Sequence, residues 1–292
     1  MTSDARHSPL IGVTLHGLGL AEPETAESAM EGFLRLRDET PLNSVEIWMA
    51  PEHKVRPACF WPEAYTEERT RMMRGFLEHF PYCGVHLPFL FNNYIAPNPA
   101  IAGPACEQLR LGIKIASELG CKYAVVHAEW DNRGFVSEDD NFKRYRDVFR
   151  DFASLAEQSG LLFCVETCFF IGPRERACRM VREVDHPNFR ITLDAGKAML
   201  NNDESNQNVH RLIDEIGKHI GSTHLYDYPD ETDFSRVLPG CGRVDVRGFV
   251  AHLWEKGYRG VFSLETSAAY AEQKQAILTL ARYADEAVRS SR

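Results

Sequence analysis

The sequence lacks the cysteine framework and the leader of a secreted protein. Its 292 residues include eight cysteines, but no C-x-x-C pair and no dense cluster, so a disulfide scaffold is not expected. Several cysteines lie in apolar runs such as CVETC, where a free thiol behaves as a small hydrophobic side chain. The first ten residues, MTSDARHSPL, contain no apolar core of a signal peptide. We therefore expect a protein of the reducing cytoplasm.

Three further absences narrow the class of protein. No apolar run approaches the roughly 18 residues that a transmembrane helix needs, so no membrane span is expected. The formal net charge is −9, whereas phosphate binding needs a basic surface, so nucleic acid is not expected as a partner. No G-x-G-x-x-G motif follows the first apolar segment, which argues against a dinucleotide-binding fold.

Apolar and helical segments alternate strictly along the chain. Eight apolar segments have the length and the branched or aromatic content of buried strands, and each is followed by a segment that can hold one helix. The predicted strands are residues 11–15, 44–49, 82–88, 123–129, 161–168, 190–196, 222–228 and 260–266. The predicted helices are residues 23–37, 67–79, 105–119, 139–159, 174–184, 208–219, 246–255 and 270–288.

This alternation predicts an α/β fold with a parallel sheet. Eight units in a chain of this length favour a closed (β/α)8 TIM barrel over an open, doubly wound sheet. Because no linker or low-complexity segment interrupts the pattern, we expect one domain over residues 1–292, with residues 1–9 as a polar tail.

Polar residues stand at the ends of seven of the predicted strands. A charged residue at the end of a buried apolar strand is unexpected unless something there needs the charge. The seven polar residues are Glu46, His86, His127, Glu166, Asp194, His224 and Glu265. In a closed barrel these ends face one mouth, where the carboxylates would repel one another unless they are protonated or neutralised by a cation. Carboxylate oxygens and imidazole nitrogens suit divalent manganese, cobalt, zinc or magnesium. A structural role remains the alternative for each single residue.

The segments FCVET, TLDAGK, THLYD and SLET resemble the xylose-isomerase-like barrel superfamily, which contains sugar isomerases and epimerases, inosose dehydratases and endonuclease-four-type nucleases. The resemblance implies that one divalent metal, with manganese favoured, is bound as in the ketose 3-epimerases. The implied ligands are Glu166, Asp194, His224 and Glu265. Glu46 matches a strand-two carboxylate to which we assign a structural or supporting role.

A metal at this position suggests a hypothesis for the reaction. Loss of a proton from the carbon next to a carbonyl gives an enediolate, which a divalent cation stabilises. Glu166 and Glu265, on opposite sides of the ligand ring, would act as the catalytic acid/base pair that removes and returns the proton. Epimerisation, isomerisation and elimination of a β-hydroxyl share this first step, so the sequence does not separate them.

Two departures from the family's pattern concern the substrate. Lys197 stands where many members have a histidine, and Arg236, in FSRVLPGCG, is the nearest counterpart of another. Protonated cations do not bind a metal but suit an anionic or hydroxyl-rich substrate, so a trinuclear nuclease centre is not expected. His86 and His127 match residues that hold an additional zinc in the nuclease branch, and a substrate role, a structural role and a second metal all remain open.

Aromatic residues at or after the strand ends are candidates for an apolar wall that stacks on a sugar ring. Trp130 is included among the predicted substrate-binding residues, together with His86, His127, Lys197 and Arg236. Trp48, Phe89, Phe91 and Tyr94 are further candidates. For each aromatic residue, packing at the end of the barrel is the alternative interpretation.

Together these features predict a metal-dependent isomerase or epimerase of carbohydrate metabolism that acts on a small sugar-like substrate. The main alternative is a lyase of the inosose or 3-keto-glycoside type. A metal-dependent phosphodiesterase or endonuclease, and a binding barrel without catalysis, are the remaining alternatives. We also expect a homodimer or a homotetramer, since members of the family often associate in this way.

Overall fold

The computed structural model describes residues 8–15, 25–51, 58–132, 134–229, 236–266 and 268–291. Eight parallel strands close into a barrel in which each strand pairs with its neighbours along the chain, β1 with β8 included. The strands are β1 Leu10–Thr14, β2 Ser44–Trp48, β3 Tyr82–His86, β4 Tyr123–His127, β5 Leu162–Glu166, β6 Phe189–Asp194, β7 Ile220–Leu225 and β8 Val261–Leu264. The predicted TIM barrel is confirmed, while residues 1–7 of the predicted polar tail lie outside the described residues.

Nine α-helices surround the barrel in the described ranges. They are α1 Ala26–Glu39, α2 Glu67–Leu77, α3 Pro99–Glu118, α4 Glu138–Gln158, α5 Arg174–Val184, α6 Ala195–Leu200, α7 Asn206–Ile216, α8 Val246–Glu255 and α9 Tyr270–Ser290. None of these helices has both the length and the apolar character that crossing a membrane requires.

Strand six and the helix before strand four differ from their predicted bounds. Strand six was predicted to run to residue 196, but β6 stops at Asp194, whose side chain accepts the backbone N–H of Lys197 and caps the short helix α6, which was not predicted. Helix α3 starts at Pro99 rather than residue 105, because Asn98 caps it and a proline fits the first helical position.

The lower part of the barrel interior is closed by an apolar plug. Tyr123, Val125, Cys164 and Val261 form a buried cluster of residues from β4, β5 and β8. Gly84 pairs with Tyr123 in the sheet, and a Cβ at this glycine would lie 2.0 Å from the Cζ atom of the tyrosine ring. The glycine in YCGVH therefore makes room for the plug, and the polar strand ends lie above it.

The opposite faces of the strands pack against the helices. Phe163 of β5 and Phe189 of β6 both contact Phe149 of α4, with ring centroids 5.7 and 5.8 Å apart. Since residues alternate between the two faces of a strand, this packing leaves Glu166 and Asp194 on the inner face. Helix packing on the outside thus fixes which side chains reach the mouth.

Candidate metal centre

Four side chains from successive strands converge at the mouth of the barrel. Each offers one ligand atom, and these atoms all lie within 4.8 Å of one another. The residues are Glu166, Asp194, His224 and Glu265, all at most 1% exposed. The sheet register explains the convergence, since Asp194 pairs with His224, and Glu265 directly follows the last residue of β8. The four predicted ligands are therefore brought together.

The carboxylate oxygens of this cluster leave room for a cation. Asp194 Oδ2 and Glu265 Oε2 are buried and accept no hydrogen bond from the described residues. Each lies within ion-pair distance of a side-chain cation, but without hydrogen-bond geometry. Buried charged oxygens need a compensating partner, and three carboxylates with one imidazole form a donor set that divalent metals accept. The residues present fit a divalent metal.

Glu46 of β2 fixes the orientation of His224. The His224 Nε2 atom lies 3.0 Å from Glu46 Oε1, while its Nδ1 atom lies 3.1 Å from Glu166 Oε2 and 3.7 Å from Glu265 Oε2. A carboxylate on one imidazole nitrogen directs the other nitrogen toward the cluster. Burial lowers the pKa of His224, but the three carboxylates outweigh it and hold this pKa well above its ordinary value.

Asp194 is held by two donors on one of its oxygens. Its Oδ1 atom accepts the Lys197 backbone N–H and the Tyr226 hydroxyl, both at 2.7 Å. Burial, together with the carboxylates of Glu166 and Glu265, raises the pKa of Asp194 to about 6. Sequence reasoning missed Tyr226, although it lies two residues after His224, and inward positions recur at that interval along a strand.

Lys197 places its ammonium group among the carboxylates. Its Nζ atom donates to Glu166 Oε1 and lies 3.2 Å from Asp194 Oδ2, while the side chain is 20% exposed. Burial raises the pKa of Glu166, but Lys197, followed by His127 and His224, outweighs it and lowers this pKa well below its ordinary value. The structure thus brings the predicted substrate-binding lysine into direct contact with two candidate metal ligands.

Arg236 neutralises the other glutamate of the cluster. Its Nη1 atom lies 2.8 Å from Glu265 Oε2, and its guanidinium stacks over the ring of Tyr226, 4.5 Å from the centroid. Burial raises the pKa of Glu265, but Arg236, His224 and Lys197 together lower it to about 2. Lys197 and Arg236 therefore favour the ionised form of both glutamates of the proposed acid/base pair.

A buried aspartate anchors the segment that carries Arg236. Asp227 exchanges backbone hydrogen bonds with Val237, and its carboxylate accepts the backbone N–H groups of Gly240, Gly242 and Val244 at 2.7 to 3.1 Å. A Cβ at Gly242 would lie 1.8 Å from the carbonyl oxygen of Tyr228, so only glycine fits. The PGCG sequence thus allows the chain to wrap around Asp227 and hold Arg236 over Glu265.

His86 and His127 form a second group that shares Glu166. Their Nε2 atoms lie 3.1 Å apart, and His127 Nε2 lies 3.0 Å from Glu166 Oε2. Burial, and then the neighbouring His127, lower the pKa of His86 despite Glu166. Burial also lowers the pKa of His127, but Glu166 and Glu129 outweigh it and raise this pKa. The ligand atoms of His86, His127 and Glu166 lie within 4.8 Å of one another, so a second metal and a substrate role both stay open.

Aromatic rings surround this histidine pair. The Phe89 ring centroid lies 4.4 Å from that of His127, and the Trp48 centroid lies 5.1 Å from that of His86. Phe169, which sequence reasoning missed, lies 5.6 Å from His127 and is 50% exposed. The backbone φ of Phe169 is 47°, in the left-handed region, and no feature of the sequence predicts this conformation.

The other aromatic candidates lie farther from the cluster. Tyr94 is buried in the core and donates its hydroxyl to the His127 carbonyl, whereas Phe91 is 93% exposed. Trp130 donates its indole N–H to the Asn92 carbonyl at 3.1 Å and packs against the core. Within the described part of the chain, no hydrogen bond or ring contact joins Trp130 to the four-residue cluster, so its substrate role stays a prediction.

Comparisons with known proteins agree with this architecture. The model of the xylose isomerase-like TIM barrel family matches residues 37–287. Inosose isomerase from Bacillus subtilis (strain 168) is 29% identical over 159 residues, which make up 50% of this chain and 54% of that protein. The match thus spans about half the length of this relative.

Two solved structures show the same fold over nearly the whole chain. A D-tagatose 3-epimerase-like protein has a TM-score of 0.77 at 19% identity, and covers 97% of this chain and 100% of its own. The 3-keto-D-glucoside 4-epimerase from E. coli has a TM-score of 0.68 at 16% identity, and covers 94% of this chain and 99% of its own. At these identities the likeness extends to the fold alone.

Proposed function

The chain belongs to the xylose isomerase-like TIM barrel family, and we propose that it is a divalent-metal-dependent isomerase or epimerase of a sugar or a sugar-like keto compound. The observation that supports this proposal most is the convergence of Glu166, Asp194, His224 and Glu265 within 4.8 Å. These four residues would hold the metal, with manganese as the favoured ion.

A bound divalent cation would supply a Lewis acid that makes the C–H bond next to a carbonyl more acidic. The protein itself supplies the proton acceptor and donor. Glu166 and Glu265 are buried carboxylates whose pKa values are lowered, and they stand at the ends of β5 and β8, the first and the last of the four strands that bear the cluster. One ionised carboxylate would remove the proton, giving an enediolate. The other would first take up a proton from water at the mouth and would then donate it to the opposite face of the same carbon.

The surroundings of the cluster suit a hydroxyl-rich substrate. Lys197 and Arg236 add donors at the mouth, and His86 and His127 add imidazole nitrogens beside Glu166. Phe89 and Trp48 add ring surface against these histidines. Polar groups with fixed directions and a few aromatic faces are the usual composition of a small-molecule site.

A solvent-exchange experiment tests the proposed reaction. The protein, loaded with Mn²⁺, is incubated in D2O with a panel of ketoses, keto-inositols and 3-keto-glycosides. We expect deuterium at the carbon next to the carbonyl of at least one compound, together with an epimer or isomer. The chelator-treated protein serves as the control and should lose this exchange. No deuterium uptake from any member of the panel would contradict the proposal.

The same experiment addresses the lyase alternative. Elimination begins with the same proton removal but ends with loss of water, which mass spectrometry detects as a product 18 Da lighter than the substrate. The inosose isomerase relative is the reason to include keto-inositols in the panel. A dehydrated product without an epimer would replace the isomerase proposal with a dehydratase.

The phosphodiesterase alternative has less support. Lys197 stands where many members of the family have a histidine, and Arg236 is the nearest counterpart of another. Both cations contact carboxylates of the cluster. Protonated lysine and arginine do not bind a metal ion. Turnover of an abasic-site oligonucleotide would be the finding in favour of this alternative.

A further inference from the structure

We propose that Lys197 is a displaceable internal counter-ion, which occupies the carboxylates of the metal centre and weakens the binding of a divalent cation. This inference rests on the proposed function, because it concerns the same four-residue cluster. In this role Lys197 competes with the metal ion for the carboxylates, and this competition is separate from any contact of Lys197 with substrate.

The oxygen atoms of Asp194 carry the first part of the argument. Its Oδ1 atom is already occupied by the Lys197 backbone N–H and the Tyr226 hydroxyl. Only Oδ2 is left for a metal ion, and this atom lies 3.2 Å from Lys197 Nζ. A metal bound to Asp194 and an ammonium group at this distance would compete for one oxygen and repel each other.

Glu166 shows the same division between its two oxygens. Its Oε2 atom faces His127 at 3.0 Å and His224 at 3.1 Å, whereas Oε1 accepts the Lys197 ammonium. Lys197 therefore holds one oxygen on each of two predicted ligands. A cation of higher charge that enters the cluster has to displace this ammonium group or share both carboxylates with it.

Lys197 is free to move its side chain without moving its backbone. The backbone N–H lies in the first turn of α6 and is fixed by Asp194, while the side chain is 20% exposed at the mouth. Arg236 differs, because it also donates to the Glu265 carbonyl and stacks on Tyr226. Of these two cations at the cluster, Lys197 is therefore the one suited to leave.

Direct measurement of metal binding tests this inference. Mn²⁺ is titrated calorimetrically into the full-length wild type, Lys197→Gln and Lys197→Arg. Removal of the ammonium charge should tighten Mn²⁺ binding by about tenfold or more, because the ammonium group repels an incoming cation and occupies oxygens of two predicted ligands. The arginine variant, which keeps the charge, should bind Mn²⁺ within about threefold of the wild type.

Lys143→Gln provides the matched control. Lys143 also pairs with an aspartate three residues earlier, with Lys143 Nζ 3.1 Å from Asp140 Oδ1, but on the exposed surface of α4. This variant should leave Mn²⁺ affinity unchanged. Lys197→Met, which keeps the aliphatic part of the side chain, serves as a second uncharged variant, so the outcome does not depend on the folding of one protein.

The outcomes separate this inference from the proposed function. Equal or weaker Mn²⁺ binding by the uncharged Lys197 variants, with normal binding by the wild type, would overturn the counter-ion role and leave the metal centre in place. Absence of binding to every protein would overturn the metal centre and this inference with it. Thermal unfolding adds a second readout, because Mn²⁺ should raise the melting temperature of Lys197→Gln more than that of the wild type.

Discussion

The mouth of the barrel has two halves that share Glu166 but differ in their partners. On the carboxylate half, formed by β5 to β8, the acidic side chains face the positively charged side chains of Lys197 and Arg236. On the histidine half, formed by β3 and β4, His86 and His127 face each other and the aromatic rings of Trp48 and Phe89. One half is therefore built around carboxylates and side-chain cations, and the other around imidazole and aromatic contacts.

This difference teaches which half should carry the reaction. Buried carboxylates with compensating cations can bind a metal and exchange protons, and loss of one such group leaves charges unbalanced. An imidazole pair beside aromatic rings can orient a substrate through hydrogen bonds and stacking, which contribute less per group. Substitutions of the ligand residues in the carboxylate half should thus reduce the reaction rate or metal binding, and those in the histidine half should mainly weaken substrate binding.

The largest effect is expected for Glu265→Gln. The amide has nearly the same shape but cannot take up a proton, so solvent exchange into the substrate should fall by about 10³-fold. Deuterium incorporation under the conditions of the panel experiment is the measurement. Glu255→Gln, a change to an exposed residue of α8, is the control and should keep full exchange. Normal exchange in Glu265→Gln would remove Glu265 from the acid/base pair.

Asp194→Asn should reduce metal affinity by about 100-fold, since the ion loses an anionic ligand. The amide oxygen can still accept the Lys197 N–H, so the cap of α6 and the fold should persist. Calorimetric titration with Mn²⁺ gives the affinity, and circular dichroism reports the fold. Unchanged Mn²⁺ affinity in a folded variant would show that Asp194 is not a ligand.

Glu46→Gln should reduce metal affinity less than Asp194→Asn does. Glu46 contacts His224 from the side away from the cluster, and loss of such an orienting carboxylate typically weakens metal binding by about 10- to 100-fold. The measurement is again Mn²⁺ titration. A loss larger than that of Asp194→Asn would argue that Glu46 itself binds the metal.

The strand-end residues were predictable because two simple signals coincide. Each predicted ligand lies at the end of a short apolar segment, and a barrel brings all such ends to one mouth. Alternation and strand count place seven polar strand ends at this mouth, and the resemblance to the family assigns Glu166, Asp194, His224 and Glu265 among them as the ligands. Tyr226 was equally predictable, since it directly follows β7 and lies two residues after His224, the interval at which inward positions recur along a strand.

Other parts of the site depend on contacts that a single sequence does not display. Asp194 both ends a strand and caps helix α6. Because it was interpreted only as a candidate metal ligand, the helix that it begins was not predicted from the sequence. The position of Arg236 depends on Asp227, which gathers backbone N–H groups up to 17 residues away. Ion pairs such as Lys197 with Glu166, 31 residues apart, follow from side-chain conformation rather than from spacing.

The smallest effect is expected for His127→Gln, in the histidine half. The glutamine amide can occupy the position of the imidazole Nε2 and keep a contact with Glu166, so metal content should stay at the wild-type level. Loss of the imidazole and of its contact with the Phe89 ring should raise KM about tenfold and change kcat less. Steady-state kinetics gives KM and kcat, and metal analysis of the same sample gives the metal content.

The metal content of this variant decides how the two halves are related. His86, His127 and Glu166 could hold an ion of their own, because their ligand atoms lie within 4.8 Å of one another. If His127→Gln loses one bound metal per chain while Asp194→Asn loses a different one, each half contains a metal centre and Glu166 bridges them. If metal content stays constant and only KM rises, the histidine half binds the substrate, and the carboxylate half alone holds the metal.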